Sequence, residues 1–227
     1  MRTSRLVATL ALAAGVAAAC DDAPAGTQEA FAPLRVVNGS ATDVTVLVDG
    51  TPQLATLAAG SISPPIPVTF TSHRVELRPA GSSTNGGSSV LAATSPSSTT
   101  YIAALGTTAG AVSAVALADT GAVPAPGTSK LQAVHLAAKA PPLWVWRIQP
   151  DFPTAVRFMF PHPYGMSTSY IQAAPGTWQV IVTPEGGDPS RDVLGSASIL
   201  VDANHAKRVA VLDAGGGKVK IVPLETP

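Results

Sequence analysis

The chain has 227 residues, of which 46% are hydrophobic and 12% are charged, and this composition excludes a disordered chain. Its 14 Lys and Arg residues balance 14 Asp and Glu residues, so no net charge draws the protein to nucleic acid, and no nucleic-acid partner is expected. The 20 Gly and 21 Pro residues are spread along the chain and favour many short strands joined by turns.

The first twenty residues have the pattern of an exported protein. A basic start is followed by an apolar run over residues 6–16 and by three small residues, so residues 1–19 are predicted to be a signal peptide. The apolar run is too short to span a membrane. Cys20 comes next and is the only cysteine in the chain.

Residues 6–20 resemble the signal and lipobox of bacterial lipoproteins. The resemblance implies that the Cys20 thiol receives a diacylglycerol, that the chain is cut before Cys20, and that the membrane is a partner through this lipid. Ordinary cleavage after Ala19, with Cys20 unmodified, is the alternative. Residues 20–33 are polar or small and show no periodicity, so they are predicted to be a lipidated tether that reaches at most about 43 Å.

Short strands separated by turn residues are predicted through residues 34–120. Alternating apolar residues and the intervening Gly, Pro, Asn and Ser residues place eight of them about ten residues apart. They cover residues 34–37, 44–49, 53–57, 66–70, 74–78, 90–93, 101–105 and 111–117. This spacing predicts an all-β fold, an antiparallel β-sandwich.

A second sandwich is predicted because the sequence repeats. Residues 74–81, RVELRPAG, return as residues 179–186, QVIVTPEG, and both copies end a strand with Pro and then Gly. The Pro-, Gly- and Ser-rich residues 121–129 are predicted to be a linker. The repeat therefore predicts two tandem sandwiches, over residues 34–120 and 130–227. In the second copy His135 takes the place of Asn38, and residues 164–167 restate the turn at Gly60.

Residues 34–40, 44–50, 59–64 and 75–81 resemble the bacterial envelope domain of unknown function forty-three ninety-seven. Members of that family resemble immunoglobulin-like or transthyretin-like sandwiches and often occur in tandem on exported proteins. The resemblance implies a sandwich at the cell envelope. It implies no activity.

Aromatic residues concentrate in the second copy, which holds eight of the eleven. Residues 149–164 lengthen this copy and contain several of them. One hypothesis is a surface that binds an envelope protein or a glycan, formed by Arg157, Phe158, Phe160, His162 and Tyr164.

The competing interpretation of the same aromatic residues is packing. Trp144 and Trp146 share one face of a strand while Arg147 is on the other face, so the two tryptophans are expected to face inward. Phe158 and Phe160 alternate in the same way and are expected on an additional edge strand shielded by prolines.

No motif carries recognisable chemistry. The four histidines, expected to be turn or surface residues, have no metal-ligand spacing, and the loop 186–192 is the best calcium candidate but lacks a ligand series. No nucleophile elbow is present. No catalytic residue, metal or cofactor is predicted, and the chain is expected to be a non-enzymatic structural, adhesion or partner-binding lipoprotein of the envelope. The alternative is a secreted hydrolase or carbohydrate-processing accessory with a site on its loops.

Overall fold

The computed structural model of the chain describes residues 31–82, 87–95, 98–107, 111–117, 123–148 and 155–224, with residues 158–162 described by their backbone alone. The signal peptide and Cys20 lie outside these ranges. All the regular structure within them is β, in sixteen strands. In the same ranges no helix is long and apolar enough to cross a membrane.

The strands begin and end within a few residues of the predicted ones, because Gly, Pro and Asp residues mark their ends. The first eight are β1 (Phe31–Asn38), β2 (Val44–Val48), β3 (Thr51–Leu57), β4 (Ile66–Thr69), β5 (Ser72–Pro79), β6 (Ser88–Ala93), β7 (Thr100–Leu105) and β8 (Ser113–Ala116). The others are β9 (Ser129–Leu136), β10 (Leu143–Ile148), β11 (Val156–His162), β12 (Ile171–Ala173), β13 (Gly176–Pro184), β14 (Gly195–Val201), β15 (Ala206–Gly215) and β16 (Lys218–Leu224).

Both halves of the chain have the same strand order. The first half forms the sheets β4-β1-β7-β8 and β3-β2-β5-β6, and the second half forms β12-β9-β15-β16 and β11-β10-β13-β14. Adding eight to each strand number converts the first pair of sheets into the second. The prediction of two tandem β-sandwiches is confirmed.

Each sandwich contains one parallel pair of strands, which the antiparallel prediction did not include. β1 pairs with β7 in parallel, as does β9 with β15. The connection after β6 crosses to the other sheet, so β7 starts at the same end as β1. In an immunoglobulin constant domain the first strand pairs with the second. Here β1 lies between β4 and β7, which fits the transthyretin-like alternative.

Each sandwich buries its own apolar core between its two sheets. Alternate residues of β5, such as Val75 and Leu77, enter the first core. The equivalent residues of β13, Val180 and Val182, enter the second core beside the fully buried Trp178. Trp178 Nε1 donates a hydrogen bond of 2.8 Å to the Ala174 carbonyl, so burial of this ring leaves no unpaired polar atom.

A third apolar cluster joins the two sandwiches. Its members come from the outer faces of β4-β1-β7-β8 and β12-β9-β15-β16. They include Val37, Tyr101 and Ala103 from the first sandwich and Val134, Leu136, Ala210, Leu212 and Leu224 from the second. We call this cluster the seam. Because the two facing sheets are buried on both sides, the four sheets stack in four layers.

Glycine brings the two backbones into contact at the seam. A Cβ atom on Gly39 would lie 2.7 Å from both the Cβ and the carbonyl oxygen of Leu136, closer than real Cβ atoms come. A Cβ atom on Gly60, at φ +71°, would lie 2.5 Å from the Asp213 carbonyl oxygen. The turn glycines of the first sandwich are therefore required for docking as well as for turning.

The end of the first strand is built in the same way in both copies. The N–H of Gly60 donates to the Asn38 carbonyl at 2.8 Å, and the N–H of Gly165 donates to the His135 carbonyl, also at 2.8 Å. Both glycines have positive φ. The predicted equivalences of Asn38 with His135 and of the two turns are thus seen in the backbone.

The side chains of Asn38 and His135 also make equivalent hydrogen bonds. The Ser40 N–H donates to Asn38 Oδ1 at 3.0 Å, and the Ala137 N–H donates to His135 Nδ1 at 3.3 Å. Each side chain then donates to a carbonyl of the following loop, at 3.0 Å and 3.2 Å respectively. His135 was expected at a turn or surface, but it is 2% exposed and satisfies buried backbone groups.

We predict that Gly39→Ala separates the sandwiches, because the new methyl group must push the Leu136 backbone away. The expected loss is about 1–3 kcal/mol in the free energy of unfolding. The radius of gyration from small-angle X-ray scattering should increase. Gly81→Ala is the control, since it strains a backbone of positive φ, which Gly39 does not have, but open space surrounds its Cβ position. Equal losses of stability with an unchanged radius in both variants would contradict the prediction.

Candidate functional site

Trp144 and Trp146 lie on the outer face of the sheet β11-β10-β13-β14. Their neighbours Leu143 and Val145 are each 1% exposed and belong to the core, so strand alternation sends the tryptophans outward. Both tryptophans are half-buried. The prediction that they face inward is wrong.

That prediction failed because it assigned Arg147 to the solvent side. Arg147 lies on the core side of β10, where its guanidinium carbon stands 4.4 Å from the centroid of the Trp178 ring. One guanidinium nitrogen also donates to the Gln172 carbonyl at 3.3 Å. The Arg147 side chain extends over an aromatic ring to the rim of the sandwich. Its charge is therefore accommodated although the residue lies on the core side of the strand.

The two outward tryptophans are held against the sheet and against each other. Their rings meet edge to face, with centroids 5.9 Å apart and an interplanar angle of 69°. Trp146 Nε1 donates a 2.9 Å hydrogen bond to Thr183 Oγ1. Thr183 is the cross-strand partner of Trp144 and is fully buried although it lies on the outer face. The rings therefore cover Thr183 and form a fixed apolar surface.

Arg157 completes this surface. It is exposed, it is the cross-strand partner of Trp146, and its guanidinium carbon lies 4.2 Å from the centroid of the Trp144 ring. A guanidinium stacked in this way has its plane fixed against the ring. We call Trp144, Trp146 and Arg157 the tryptophan face.

The first sandwich has different residues at the same places. Because Pro79 pairs with Val44 and Pro184 pairs with Leu143, the equivalents of Trp144 and Trp146 are Thr45 and Leu47. The adjacent strand carries the ion pair Glu76–Arg78, with nitrogen and oxygen 2.6 Å apart. The two copies share their core pattern and differ in this outer face.

The five residues of the predicted binding surface are placed as follows. Arg157 belongs to the tryptophan face. Phe158, Phe160 and His162 are in β11, and their side chains lie outside the described residues. β11 is not an additional strand, since it is the counterpart of β3 at the edge of its sheet.

Tyr164 lies at the seam. Its hydroxyl donates to the Gly39 carbonyl at 2.8 Å and accepts from the Gly106 N–H at 2.7 Å, so it links the second sandwich to two turns of the first. Burial raises the pKa of Tyr164 above its ordinary value. The ring meets His135 edge to face at 6.0 Å.

An aspartate and a histidine form a pair at the opposite end of the first sandwich. His73 Nδ1 lies 2.7 Å from Asp49 Oδ2, and Nε2 lies 2.9 Å from the Thr69 carbonyl. A carbonyl and a carboxylate only accept, so the protonated ring, in which both nitrogens donate, satisfies both contacts. His73 was expected at a turn or surface, but it is 8% exposed and lies in β5.

In the protonated ring neither nitrogen of His73 keeps a lone pair for a substrate proton, so this form of the pair does not act as a general base. The Asp49 hydrogen bond raises the pKa of His73, and the same hydrogen bond lowers the pKa of Asp49. Asp49 also accepts from the Arg74 N–H at 2.8 Å. Through these hydrogen bonds the pair links the turn after β2 to the start of β5.

The described residues contain no group of three His, Cys, Asp or Glu side chains that could hold a metal ion. In the loop that was the best calcium candidate, Asp188 Oδ1 accepts from Ser190 at 2.7 Å, and Asp192 Oδ2 accepts from the Asp188 N–H at 2.8 Å. The hydrogen bonds from Ser190 lower the pKa of Asp188. These carboxylates serve to shape the loop.

Comparison with protein families gives one match. The family described as Domain of unknown function (DUF4397) matches residues 32–146, about half of the chain. The matched region starts in β1 and ends in β10. No curated protein matches this chain.

Several solved structures match at low similarity. A leucine-rich repeat protein from Bacteroides thetaiotaomicron VPI-5482 is 15% identical, with a TM-score of 0.24, and the match covers 84% of this chain and 27% of that one. A candidate cell adhesion protein from Bacteroides fragilis NCTC 9343 is 8% identical, with a TM-score of 0.25 and coverage of 83% and 84%. A candidate adhesin from Bacteroides ovatus is 9% identical, with a TM-score of 0.27 and coverage of 86% and 93%. At these TM-scores the matches carry no argument about function.

The Asp49–His73 pair gives a prediction about pH. The raised pKa of His73 means that its stabilising effect is complete below its ordinary value of 6.5 and is lost as the pH rises through the raised value. The lowered pKa of Asp49 means that its effect is complete above 3.8 and is lost as the pH falls through the lowered value. Asp49→Asn should therefore move the pKa of His73 down toward 6.5, as measured by NMR titration of the ring protons.

Asparagine tolerates the φ of +49° at residue 49, so the backbone should stay in place. Asp188→Asn is the control, because it removes another carboxylate of lowered pKa from the second sandwich. An unchanged His73 titration in Asp49→Asn would show that the pair does not form in solution.

Proposed function

Because this chain belongs to the DUF4397 family, whose description gives no activity, we propose a function from its geometry: the protein is a non-enzymatic binding module of the cell envelope, and it binds its partner through the tryptophan face. The observation that carries the proposal is the outward position of Trp144 and Trp146. Two large rings on an outer sheet face offer apolar area that is released from water on binding.

The fold does not need tryptophan at these positions. The first sandwich has the same sheet order and the same core pattern, and its equivalent outer face carries Thr45 and an ion pair. Tryptophan and arginine are also the residues most often found at the energetic centres of protein interfaces. The difference between the copies therefore supports a binding role for the second one.

The location of the tryptophan face supports the same role. The seam occupies one outer face of each sandwich, and the sheet β11-β10-β13-β14 is the layer on the far side of the second sandwich. A partner can thus approach it without displacing the first sandwich. The arrangement also favours a non-enzymatic role, since both ring nitrogens of His73 are engaged in contacts with Asp49 and the Thr69 carbonyl.

The proposal includes an anchor at Cys20. A lone cysteine directly after a signal sequence is the acylated residue of bacterial lipoproteins that this chain resembles. Two or three acyl chains hold a protein on a membrane stably. Since β1 begins at Phe31, the tether is short and keeps the first sandwich near the bilayer, while the tryptophan face belongs to the second sandwich.

We predict that Trp144→Ala and Trp146→Ala each reduce binding of the purified protein to isolated cell envelopes by about tenfold or more, because each removes a ring worth at least about 1.4 kcal/mol. The measurement is the bound fraction in a sedimentation assay over a concentration series. Leu200→Ala is the matched control, since Leu200 is 58% exposed on the same sheet. Its cross-strand partner Thr177 lies about 20 Å along β13 from Thr183.

Thermal unfolding of each variant separates lost binding from lost folding. If both tryptophan variants fold and bind envelopes as the unsubstituted protein does, the proposed function is wrong.

We predict that Cys20→Ser moves the protein from the membrane fraction to the soluble fraction, because serine does not accept the thioether-linked lipid. Fractionation and mass spectrometry of the amino terminus measure this. A mature amino terminus without acyl chains in the unsubstituted protein would exclude the anchor and leave the tryptophan face unaffected.

A further inference from the structure

We infer that one end of the first sandwich rests on the lipid bilayer, with Phe31 and Phe70 inserted among the lipids. This is the end at which β1 begins, β4 ends and β5 begins, and we call it the tether end. The inference rests on the Cys20 anchor of the proposed function and goes beyond it, because it assigns the sandwich a lipid-binding surface. Three features carry it: the entry of the tether, the exposed apolar side chains, and the difference from the second copy.

The tether joins the sandwich at this end. β1 begins at Phe31, whose cross-strand partner is Thr69, the last residue of β4. Residues 20–30 come between the proposed acylation site and Phe31, and even a fully extended chain of that length reaches only about 36 Å. An anchored chain therefore holds the tether end near the membrane.

Two exposed phenylalanine rings lie side by side at the tether end. Phe31 is 55% exposed and Phe70 is 36% exposed. Phe70 directly follows Thr69, the partner of Phe31, so the two residues are neighbours. Strand alternation sends Ala32 into the first core and leaves Phe31 on the outer face. Both rings therefore offer apolar area that lipid can remove from water.

The two sandwiches point the same way. Gly39, just after β1, approaches Leu136, the last residue of β9. Near the other end, the Leu117 carbonyl, just after β8, accepts a hydrogen bond of 3.0 Å from Arg208 near the start of β15. β1 and β9 therefore begin at the same end of the stack.

Exposed apolar residues of the second half are found at this end too. Val156, 36% exposed, is the first residue of β11, beside the last residues of β10. Val123, 85% exposed, precedes the turn over residues 125–128, which is bonded to Asn204 just before β15. At the opposite end, the exposed large apolar residue of the described chain is Met166. The apolar surface is therefore concentrated at the end that the tether enters.

The fold does not need phenylalanine at these positions. The register of β9 with β12 matches that of β1 with β4, and by this register the equivalents of Phe31 and Phe70 are Thr128 and Pro175. The rings are thus present in the copy that the tether joins and are replaced in the other copy. This is the distribution expected if the rings serve contact with the membrane.

The polar residues around the rings are compatible with lipid headgroups. Thr71 and Ser72 are exposed hydroxyl residues in and just after the turn that holds Phe70. Among the described acids of the first sandwich, Asp49 lies at this end, and it accepts hydrogen bonds from His73 at 2.7 Å and from the Arg74 N–H at 2.8 Å. These bonds stabilise a carboxylate where an unpaired one would be costly beside lipid.

The anchor favours the bilayer over a second copy of the chain as the partner of this surface. Two rings bind lipid weakly by themselves, but acyl chains already in the membrane make the contact intramolecular and raise its effective concentration. A second copy must instead lose its freedom to diffuse. With the tether end on the bilayer, the strands stand away from the membrane and the tryptophan face points sideways.

The test uses the acylated protein purified from the membrane fraction and returned to vesicles of phosphatidylcholine. Because a thioether-linked lipid occupies Cys20, a cysteine introduced elsewhere is a free thiol that can be labelled alone. Ser72→Cys marks the tether end and Met166→Cys marks the opposite end, each with an NBD dye. Lipids that carry bromine on their acyl chains quench the dye at short range. We expect quenching at residue 72 and none at residue 166.

The contribution of the rings is measured in the labelled Ser72→Cys protein. Phe31→Ala combined with Phe70→Ala should lower the ratio of seated to unseated protein by about tenfold or more, while the acyl chains keep the protein on the vesicles. Leucine at both positions should retain the quenching, because it restores apolar area. Met166→Ala is the control, since Met166 is 54% exposed, as Phe31 is, but lies at the other end. Thermal unfolding confirms that each variant is folded.

The other outcomes overturn the inference. If an acylated protein shows equal quenching at both ends, or if the double alanine variant is quenched as before, the surface is wrong while the anchor and the tryptophan face stand. If bromine has no effect and the emission at residue 72 instead changes with the protein-to-lipid ratio, the rings pair two copies of the chain. If mass spectrometry finds no acyl chains, the anchor fails together with this inference, and envelope binding by Trp144→Ala still decides the tryptophan face.

Discussion

The structure depends on the burial of two neighbouring sheets on both of their faces. In β1, Val36 enters the first core while Val37 enters the seam, and in β15, Val211 and Leu212 divide in the same way. This double burial is what makes two sandwiches into one stack of four layers. Because the inner layers are covered, the outer faces of the two distal sheets are where the copies can differ without a cost to docking.

The difference between the copies follows from this arrangement. Trp144 lies on the outer face of a distal sheet, and its equivalent Thr45 shows that a small polar residue suffices there. A large indole at such a position must be covered by neighbours on its own face. Arg157 and Trp146 do this, through the guanidinium stack on the Trp144 ring and the edge-to-face contact between the two indoles.

Much of the fold could be predicted from the sequence, because turn chemistry is local. Pro79 and Pro184 are the last residues of β5 and β13, the turn glycines Gly81 and Gly186 follow them, and the repeat indicates that the two strand ends are equivalent. Docking could not be predicted. A strand buried on both faces, such as β15 with its run Val209-Ala-Val-Leu212, is continuously apolar, and the sequence does not say whether its second face meets another sandwich. Tyr164 was assigned to a binding surface for the same reason.

The facing of β10 could be predicted only in part. Its sequence, Leu-Trp-Val-Trp-Arg-Ile, alternates two apolar sets, and either set can form a core. The deciding signal lay in the other copy: Leu143 and Val145 align with Val44 and Val46, both aliphatic, whereas the tryptophans align with Thr45 and Leu47. Comparison of the two copies can therefore identify the core, because positions that stay aliphatic in both copies face inward. Positions where one copy gains aromatic residues and an arginine mark the outer face, which the core does not constrain.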